Sequence, residues 1–261
     1  MLHFWALHIE REVEVDTVPD PVEYLQRAYE ETVDATTSPS EWYGTTTSVT
    51  ALLHAKPTDG GGHTPVVYIT NLGDCQVLVI RPREEKIIFE TKEQWHWFDC
   101  PMQLGTNSVD TPRKDAAMSE VQLEEDDIVL ALSDGVVDNL WDQELLAITV
   151  DSIKRMEELK QDEGDEDDNS QTAEPLPDQR MVFVAREVLK AALSVAQDPF
   201  AESPYMEKAI DEGMAIEGGM FPYAFPIRLQ DSTLTAARQN GRYQRRGWSL
   251  QEERPLTTSC L

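Results

Sequence analysis

The stretch DDIVLALSDGVVDN, which runs from Asp126 to Asn139, decides how the rest of the chain is interpreted. Ile128 to Leu132 is an unbroken apolar run between acidic residues, which is typical of a core strand buried on both faces. Gly135 follows the strand and permits a sharp turn. The strand should therefore present Asp134 at its end, with Asp138 and Asn139 just beyond.

Asp134 and Asp138 are two carboxylates four residues apart at the end of a predicted strand. Hard divalent cations such as magnesium or manganese prefer oxygen-rich arrangements of this kind. The same spacing also fits a capped turn that leads into the following helix. From spacing alone, a metal site and a structural cap both remain open.

Apolar and β-branched runs on the N-terminal side of this stretch predict further strands. They are Thr46–Ala55, Val66–Thr70, Cys75–Arg81, Lys86–Thr91 and Ser119–Leu123. The last of them is expected to form a hairpin with Ile128–Leu132 around the acidic turn Glu124–Asp127. Because strands and helices do not alternate here, the pattern disfavours a parallel wound sheet and predicts an antiparallel meander.

Three segments have helical periodicity. Pro21–Thr32 begins with a proline and carries its apolar residues on one face, which is typical of an amphipathic helix. A second helix is predicted from Asn139 to about Leu159, and a third at Arg180–Ala196, before Pro199. Together with the strands, these helices predict an α+β fold.

Two segments differ in composition from the predicted core. Glu157–Asp178 contains ten acidic residues against one lysine, and charge repulsion with few apolar groups predicts a disordered insertion. Met220–Leu261 carries six arginines, three acidic residues and three prolines. This composition predicts an irregular basic tail that does not complete the core sheet, apart from a short element at Ser232–Ala237.

The formal net charge of −27 over 261 residues argues against nucleic-acid binding, which requires a concentrated basic surface. An anionic substrate would need a cation to hold it.

The three cysteines, Cys75, Cys100 and Cys260, lack the spacing of a disulfide framework or zinc site, so free thiols in a reducing compartment are expected. No apolar run approaches the roughly 20 residues that span a membrane, and the N-terminus lacks the features of a signal peptide.

Four short motifs identify a family resemblance. They are GTTTSV at Gly44–Val49, NLGDC at Asn71–Cys75, WFDCPMQLG at Trp97–Gly105 and SDGVVDN at Ser133–Asn139. In this order they resemble the PPM-type metal-dependent serine/threonine phosphatases, which are protein phosphatase 2C-like. The WFDCPMQLG segment resembles the PTC-seven-like branch. The resemblance predicts a phosphatase-like domain over residues 18–219, with the insertion at 157–178 and the tail at 220–261.

The resemblance implies a fold, a reaction and a set of metal ligands. The fold would be a sandwich of two antiparallel sheets flanked by helices, and the reaction would be hydrolysis of phosphoserine and phosphothreonine in proteins by metal-activated water. Magnesium or manganese would be the cofactor. Asp134 matches a catalytic-metal ligand, whereas Asp74 and Asp138 match a pair associated with a third, weaker metal site. Asp74 also fits a simple hairpin-turn aspartate.

The resemblance assigns no catalytic side chain. His54 and His96 have no carboxylate partner nearby in the sequence, so structural or surface roles are expected for both. Phosphoprotein substrates, no nucleic acid, no membrane span and a monomeric state are expected. The resemblance implies an intracellular, mitochondrial protein, or a cytoplasmic one if no presequence precedes the chain.

Two family motifs have no clear counterpart, and this leaves the completeness of the fold and the activity open. An Asp-Gly-x-Gly-Gly motif is absent before Pro21, and Asp59–Gly62 is interpreted as a turn because it follows the threonine-rich strand. In the last motif, Gln230 stands where an aspartate ligand would fall, and a neutral amide binds magnesium poorly. The alternative function is therefore a catalytically inactive, phosphatase-like binding or regulatory protein.

Overall fold

The structure is a computed structural model that describes residues 1–13, 17–37, 42–58, 61–163, 177–214 and 247–251. Within these ranges the helices are α1 (Leu2–Glu12), α2 (Pro21–Thr37), α3 (Pro112–Asp115), α4 (Asp134–Val137), α5 (Asp142–Glu163), α6 (Pro177–Ala196) and α7 (Pro204–Asp211). The strands are β1 (Thr45–Thr46), β2 (Ser48–Pro57), β3 (His63–Leu72), β4 (Gln76–Arg81), β5 (Lys86–Glu90), β6 (Trp95–Trp97), β7 (Cys100–Pro101), β8 (Leu104–Gly105), β9 (Ala117–Gln122), β10 (Ile128–Leu132) and β11 (Gly247–Gln251).

The chain divides into two compact units. The first comprises residues 1–81, 87–134 and 245–261, and the second comprises residues 82–86 and 135–244. The first unit contains a four-stranded sheet of order β11-β2-β3-β9 and a three-stranded sheet of order β10-β4-β5. All the strand pairs with a determined register are antiparallel. The predicted α+β class with antiparallel sheets is confirmed.

The two sheets of the first unit pack face to face through one apolar cluster, the inter-sheet core. Its fully buried members are Val49, Ala51, Val67, Ile69, Cys75, Val77 and Val79. The opposite face of β2 and β3 carries Leu52 and Tyr68, which pack against α1 and α2 through Trp5, Ile9 and Leu25. Because successive side chains along β2 and β3 point to opposite faces, each face of this strand pair packs into a different hydrophobic core.

The predicted pairing of the strands is wrong at two places. β3 and β4 are consecutive but lie in different sheets, so the strands do not form a simple meander. β9 pairs with β3 and β10 pairs with β4, rather than with each other. The reason lies in the connecting turn, where the Asp127 carboxylate accepts hydrogen bonds from Arg81 Nε (2.9 Å) and Nη2 (2.8 Å). This bidentate pair ties the start of β10 to the end of β4.

The helical parts of the second unit are longer than predicted. The helix after Asn139 continues to Glu163, and the last helix begins at Pro177 instead of Arg180. Residues 157–163 and 177–178 are therefore helical, and the prediction of disorder is wrong for them. Helix-forming glutamate, leucine and lysine extend α5, and proline is favourable at the first position of α6. The remainder of the acidic insertion, residues 164–176, lies outside the described residues.

Residues 247–251 correct the prediction for the basic tail. They form β11, which pairs with β2 in the register Gly247 to Leu52 through Gln251 to Ser48. Charge and proline content describe the segment as a whole, whereas a five-residue strand needs only a local run without proline. The tail therefore does contribute to the sheet. The predicted element at Ser232–Ala237 and the residue Gln230 lie outside the described residues.

Two further expectations have mixed outcomes. Cys75 is a buried thiol outside any disulfide, as predicted, but Cys100 is disulfide-bonded, so the expectation of free thiols is wrong for that residue. Among the described helices, none combines the length and the apolar character that crossing a membrane requires.

Candidate metal centre

Asp74 lies in the tight turn between β3 and β4 and is only 1% exposed. The preceding residue, Gly73, has a φ of +109°, which side-chain-bearing residues rarely adopt. A Cβ atom on Gly73 would lie 2.5 Å from the Thr47 side chain and 2.8 Å from the Met102 carbonyl oxygen. The turn that carries Asp74 is therefore closely packed on both sides, and only glycine fits at its apex.

Asp134 follows β10 and is also buried, with 7% of its surface exposed. In the β4–β10 pair, Leu132 lies opposite Gln76. Two residues outward on the respective strands are Asp134 and Asp74. Both aspartates therefore leave the first unit's three-stranded sheet at the same end, as the pattern of buried strand followed by Asp-Gly predicts for Asp134.

Asp138 belongs to the second unit and is 3% exposed. Its carbonyl oxygen accepts a hydrogen bond from the Tyr205 backbone N–H at 3.1 Å, one residue into α7. The neighbouring Asn139 donates from Nδ2 to the Gly135 carbonyl oxygen at 3.1 Å. Asn139 Oδ1 is buried and accepts no hydrogen bond from the described part of the chain.

The chemistry of these side chains fits a hard divalent cation. Asp74 and Asp134 belong to the first unit and Asp138 to the second, and all three are buried. Carboxylate and amide oxygens are suitable ligands for magnesium or manganese. However, the described residues contain no group of three or more histidine, cysteine or acidic side chains arranged to hold a metal ion. The assignment of these three aspartates therefore stays a prediction.

A histidine–aspartate pair lies in the same unit as Asp74, and sequence reasoning missed it. His96 Nε2 and Asp110 Oδ2 are 2.8 Å apart. Asp110 is 3% exposed and also accepts a hydrogen bond from the Gln103 backbone N–H at 2.9 Å. The expectation of a structural or surface role for His96 rested on the lack of a carboxylate nearby in the sequence, and the fold supplies one through Asp110. His54, by contrast, is buried beside the Tyr68 ring, as a structural role requires.

The hairpin β6–β7, which carries His96, is bonded directly to the turn that carries Asp74. Gln94 donates from its backbone N–H to the Gly73 carbonyl oxygen (2.9 Å), and Gln94 Oε1 accepts from the Gly73 N–H (3.1 Å). The Gln94 carbonyl oxygen accepts from the Met102 N–H (3.0 Å) at the other end of the hairpin. One glutamine thus connects the WFDCPMQLG segment to the Asp74 turn.

Tyr29 anchors the following segment to α2. Its hydroxyl donates to the Gly105 carbonyl oxygen at 2.9 Å. Burial, and to a smaller degree the charge of Asp110, raises the pKa of Tyr29. The hydroxyl therefore remains a hydrogen-bond donor throughout the neutral range.

The chain is similar in sequence to proteins named protein phosphatase 2C and PTC7 homolog and in fold to a solved phosphatase, so the predicted resemblance is confirmed. The chain shares the fold of the photosystem II phosphatase PBCP, with a TM-score of 0.57, 22% sequence identity and coverage of 84% of this chain and 72% of that chain. No protein-family model matches the chain.

Two relatives make the similarity more specific. The chain is 34% identical over 133 residues to probable protein phosphatase 2C 1 of Oryza sativa subsp. japonica. The matched region covers 51% of this chain and 35% of the relative. It is 30% identical over 162 residues to the protein phosphatase PTC7 homolog of Homo sapiens, which covers 59% of this chain and 45% of the relative. The chain thus spans half or less of the length of these relatives.

Proposed function

We propose that the chain is a metal-dependent protein phosphatase that hydrolyses phosphoserine and phosphothreonine in proteins. The observation that carries this proposal is the position of Asp74 and Asp134, two buried aspartates that leave the same end of the β4–β10 pair. The similarity to proteins named protein phosphatase 2C and PTC7 homolog supports the class of reaction.

The aspartates would divide the binding of cations between them. Asp134 would hold the catalytic cation, and Asp74 would contribute to a further, weaker site, with which the resemblance also associates Asp138. When bound, magnesium or manganese supplies positive charge against the phosphoryl oxygens and lowers the pKa of a coordinated water. The protein's own contribution is positional, because Gly73 and its close contacts fix the turn before Asp74.

The charge of the chain gives a second reason for a cation. A net charge of −27 repels a phosphorylated peptide, which is itself an anion. Carboxylates alone would increase this repulsion at the site. A substrate phosphate can therefore approach Asp134 only if a bound cation intervenes.

The test is manganese-dependent release of phosphate from a phosphothreonine peptide by the full 261-residue chain. Asp134→Asn removes one negative charge at nearly constant volume and should abolish most activity. The loss should exceed the roughly 10–100-fold effect typical of residues that only support a metal ligand. Calorimetric titration with manganese chloride should show weaker binding to this variant.

Asp151→Asn is the matched control, because Asp151 is an exposed aspartate on α5 and undergoes the same chemical change. It should retain both activity and manganese binding. Activity that survives Asp134→Asn would contradict the assignment of Asp134. Asp74→Asn should weaken manganese binding with a smaller loss of activity, since we assign Asp74 to the weaker cation.

A binding or regulatory protein without catalysis is the second candidate. The observation that favours it is the lack of any group of three metal-ligating side chains among the described residues. This candidate predicts that the chain binds a phosphopeptide but releases no phosphate at any manganese concentration. A monomeric state and a mitochondrial location also stay predictions of the family resemblance.

A further inference from the structure

His96 has the geometry of an oriented acid–base group. Its Nε2 atom lies 2.8 Å from Asp110 Oδ2, whose side chain is 4% exposed, whereas the His96 side chain is 32% exposed. Asp110 accepts a second hydrogen bond from the Gln103 N–H, so its carboxylate is held in place on two sides. The carboxylate fixes the proton on Nε2 and turns the opposite nitrogen, Nδ1, away from Asp110.

The position of His96 relates it to the candidate metal centre. Gln94 binds both the N–H and the carbonyl oxygen of Gly73, the residue before Asp74. His96 follows Gln94 by two residues, which is about 7 Å of extended strand. The partly exposed imidazole of His96 therefore lies on β6, whose preceding residue, Gln94, is hydrogen-bonded to the Asp74 turn.

We propose that His96, oriented by Asp110, is the general acid that protonates the leaving oxygen of the substrate. This inference rests on the proposed phosphatase function. Water forms the new bond to phosphorus while the bond from phosphorus to the serine oxygen breaks, and the proton on Nδ1 moves to that oxygen. Serine and hydrogen phosphate are released, and the proton that the attacking water gives up restores the ring.

Asp110 has a defined part in this step. Its negative charge balances the positive charge that the ring carries while both nitrogens are protonated. Since Asp110 reaches the substrate only through His96, it is a positioning residue. The neighbouring Trp97 ring lies 6.0 Å from the imidazole and forms one side of its surroundings.

The leaving group decides how much such an acid contributes. A serine alkoxide is a strong base and leaves slowly without a proton, whereas p-nitrophenolate is a weak base and leaves without one. General acid catalysis contributes about 10²–10⁴-fold where the proton is needed. Loss of a purely structural histidine would slow both reactions equally.

The experiment compares kcat for a phosphoserine peptide and for p-nitrophenyl phosphate, using the full chain with manganese. His96→Gln keeps a side-chain N–H for Asp110 and should reduce peptide hydrolysis about 10²-fold or more. Hydrolysis of p-nitrophenyl phosphate should change less than about threefold. Asp110→Asn should show the same selectivity with a smaller loss. The control is His63→Gln at the exposed start of β3, which should leave both rates unchanged.

Equal losses on both substrates, or no loss on either, would overturn the role of His96 while the phosphatase function stands. A parent chain that releases no phosphate from either substrate would overturn the phosphatase function and this inference together. If His96→Gln does not fold, as judged by circular dichroism, the selectivity of Asp110→Asn decides the question.

Discussion

The two faces of the β2–β3 pair are built in different ways. On one face, Ala51 and Ile69 lie opposite each other and belong to the apolar inter-sheet core. On the other face, the adjacent residues Thr50 and Thr70 lie opposite each other at the end near the Asp74 turn. Both threonines are buried, and neither hydroxyl has a hydrogen-bond partner in the described part of the chain.

The apolar residues stabilise the folded state, whereas the buried threonines lower its stability. Buried apolar contacts favour the folded state, whereas a buried hydroxyl without a partner opposes it by about 1–3 kcal/mol. Ser48 repeats the pattern, since its hydroxyl is also buried without a partner among the described residues. Local rules of folding are most often violated near functional sites. The polar end of the pair lies next to the turn that carries Asp74.

The largest expected effect comes from a substitution on the apolar face, in the inter-sheet core. Ile69→Ala removes three carbon atoms from a side chain that is 1% exposed and leaves a cavity between the sheets. It should lower the free energy of unfolding by about 2–5 kcal/mol, as measured by urea denaturation. Leu53→Ala, at a β2 residue that is 38% exposed, is the control and should cost far less.

The turn beside the polar end gives the next effect. Gly73→Ala introduces a Cβ into a residue with positive φ and brings it within 2.5 Å of Thr47. We expect a loss of about 1–3 kcal/mol in the free energy of unfolding, together with weaker manganese binding because Asp74 is displaced. Gly61→Ala shares the positive φ but has open space around it, so it isolates backbone strain from steric overlap. Equal losses in the two variants would show that the contacts with Thr47 are unimportant.

At the polar end itself, the comparison predicts that a substitution raises the free energy of unfolding instead of lowering it. Thr70→Val keeps the shape of the side chain and removes a hydroxyl that is 0% exposed. The free energy of unfolding should rise by about 1 kcal/mol, because no buried polar atom remains unpaired on that side chain. A loss of stability would mean that the hydroxyl does have a partner in solution.

The smallest effect concerns α1 and α2, the helices that pack against Leu52 and Tyr68 on the same face as the two threonines. Arg27 donates two hydrogen bonds to Glu12, and this interaction lowers the pKa of Glu12. A lowered pKa in the folded state stabilises the fold above the unfolded-state pKa, and this stabilisation is lost as the pH falls through the folded-state pKa. Glu12→Gln should remove at most about 1 kcal/mol, and only at pH values where the glutamate is charged. Urea denaturation at neutral and acidic pH checks this.

Local patterns in the sequence predicted most strands and helices, but not how the strands pair. The apolar run Ile128–Leu132 identified β10, whereas its partner depends on the contact of Asp127 with Arg81, which are 46 residues apart in the sequence. Similarly, Asp134 could be found from the strand and glycine around it. The pairing of His96 with Asp110 could not, because these residues are 14 positions apart and the sequence between them gives no periodic signal for a tertiary contact.

The position of β11 has a consequence for the synthesis of the protein. Gly247 pairs with Leu52, 195 residues earlier in the chain, and such distant contacts slow folding. At about 5–20 residues per second, the ribosome needs roughly 10–40 s to make the residues between these two positions. During that time one edge of β2 has unpaired backbone groups, a template on which strands of other nascent chains can add. Chaperone demand during translation should therefore depend on how quickly residues 247–251 emerge.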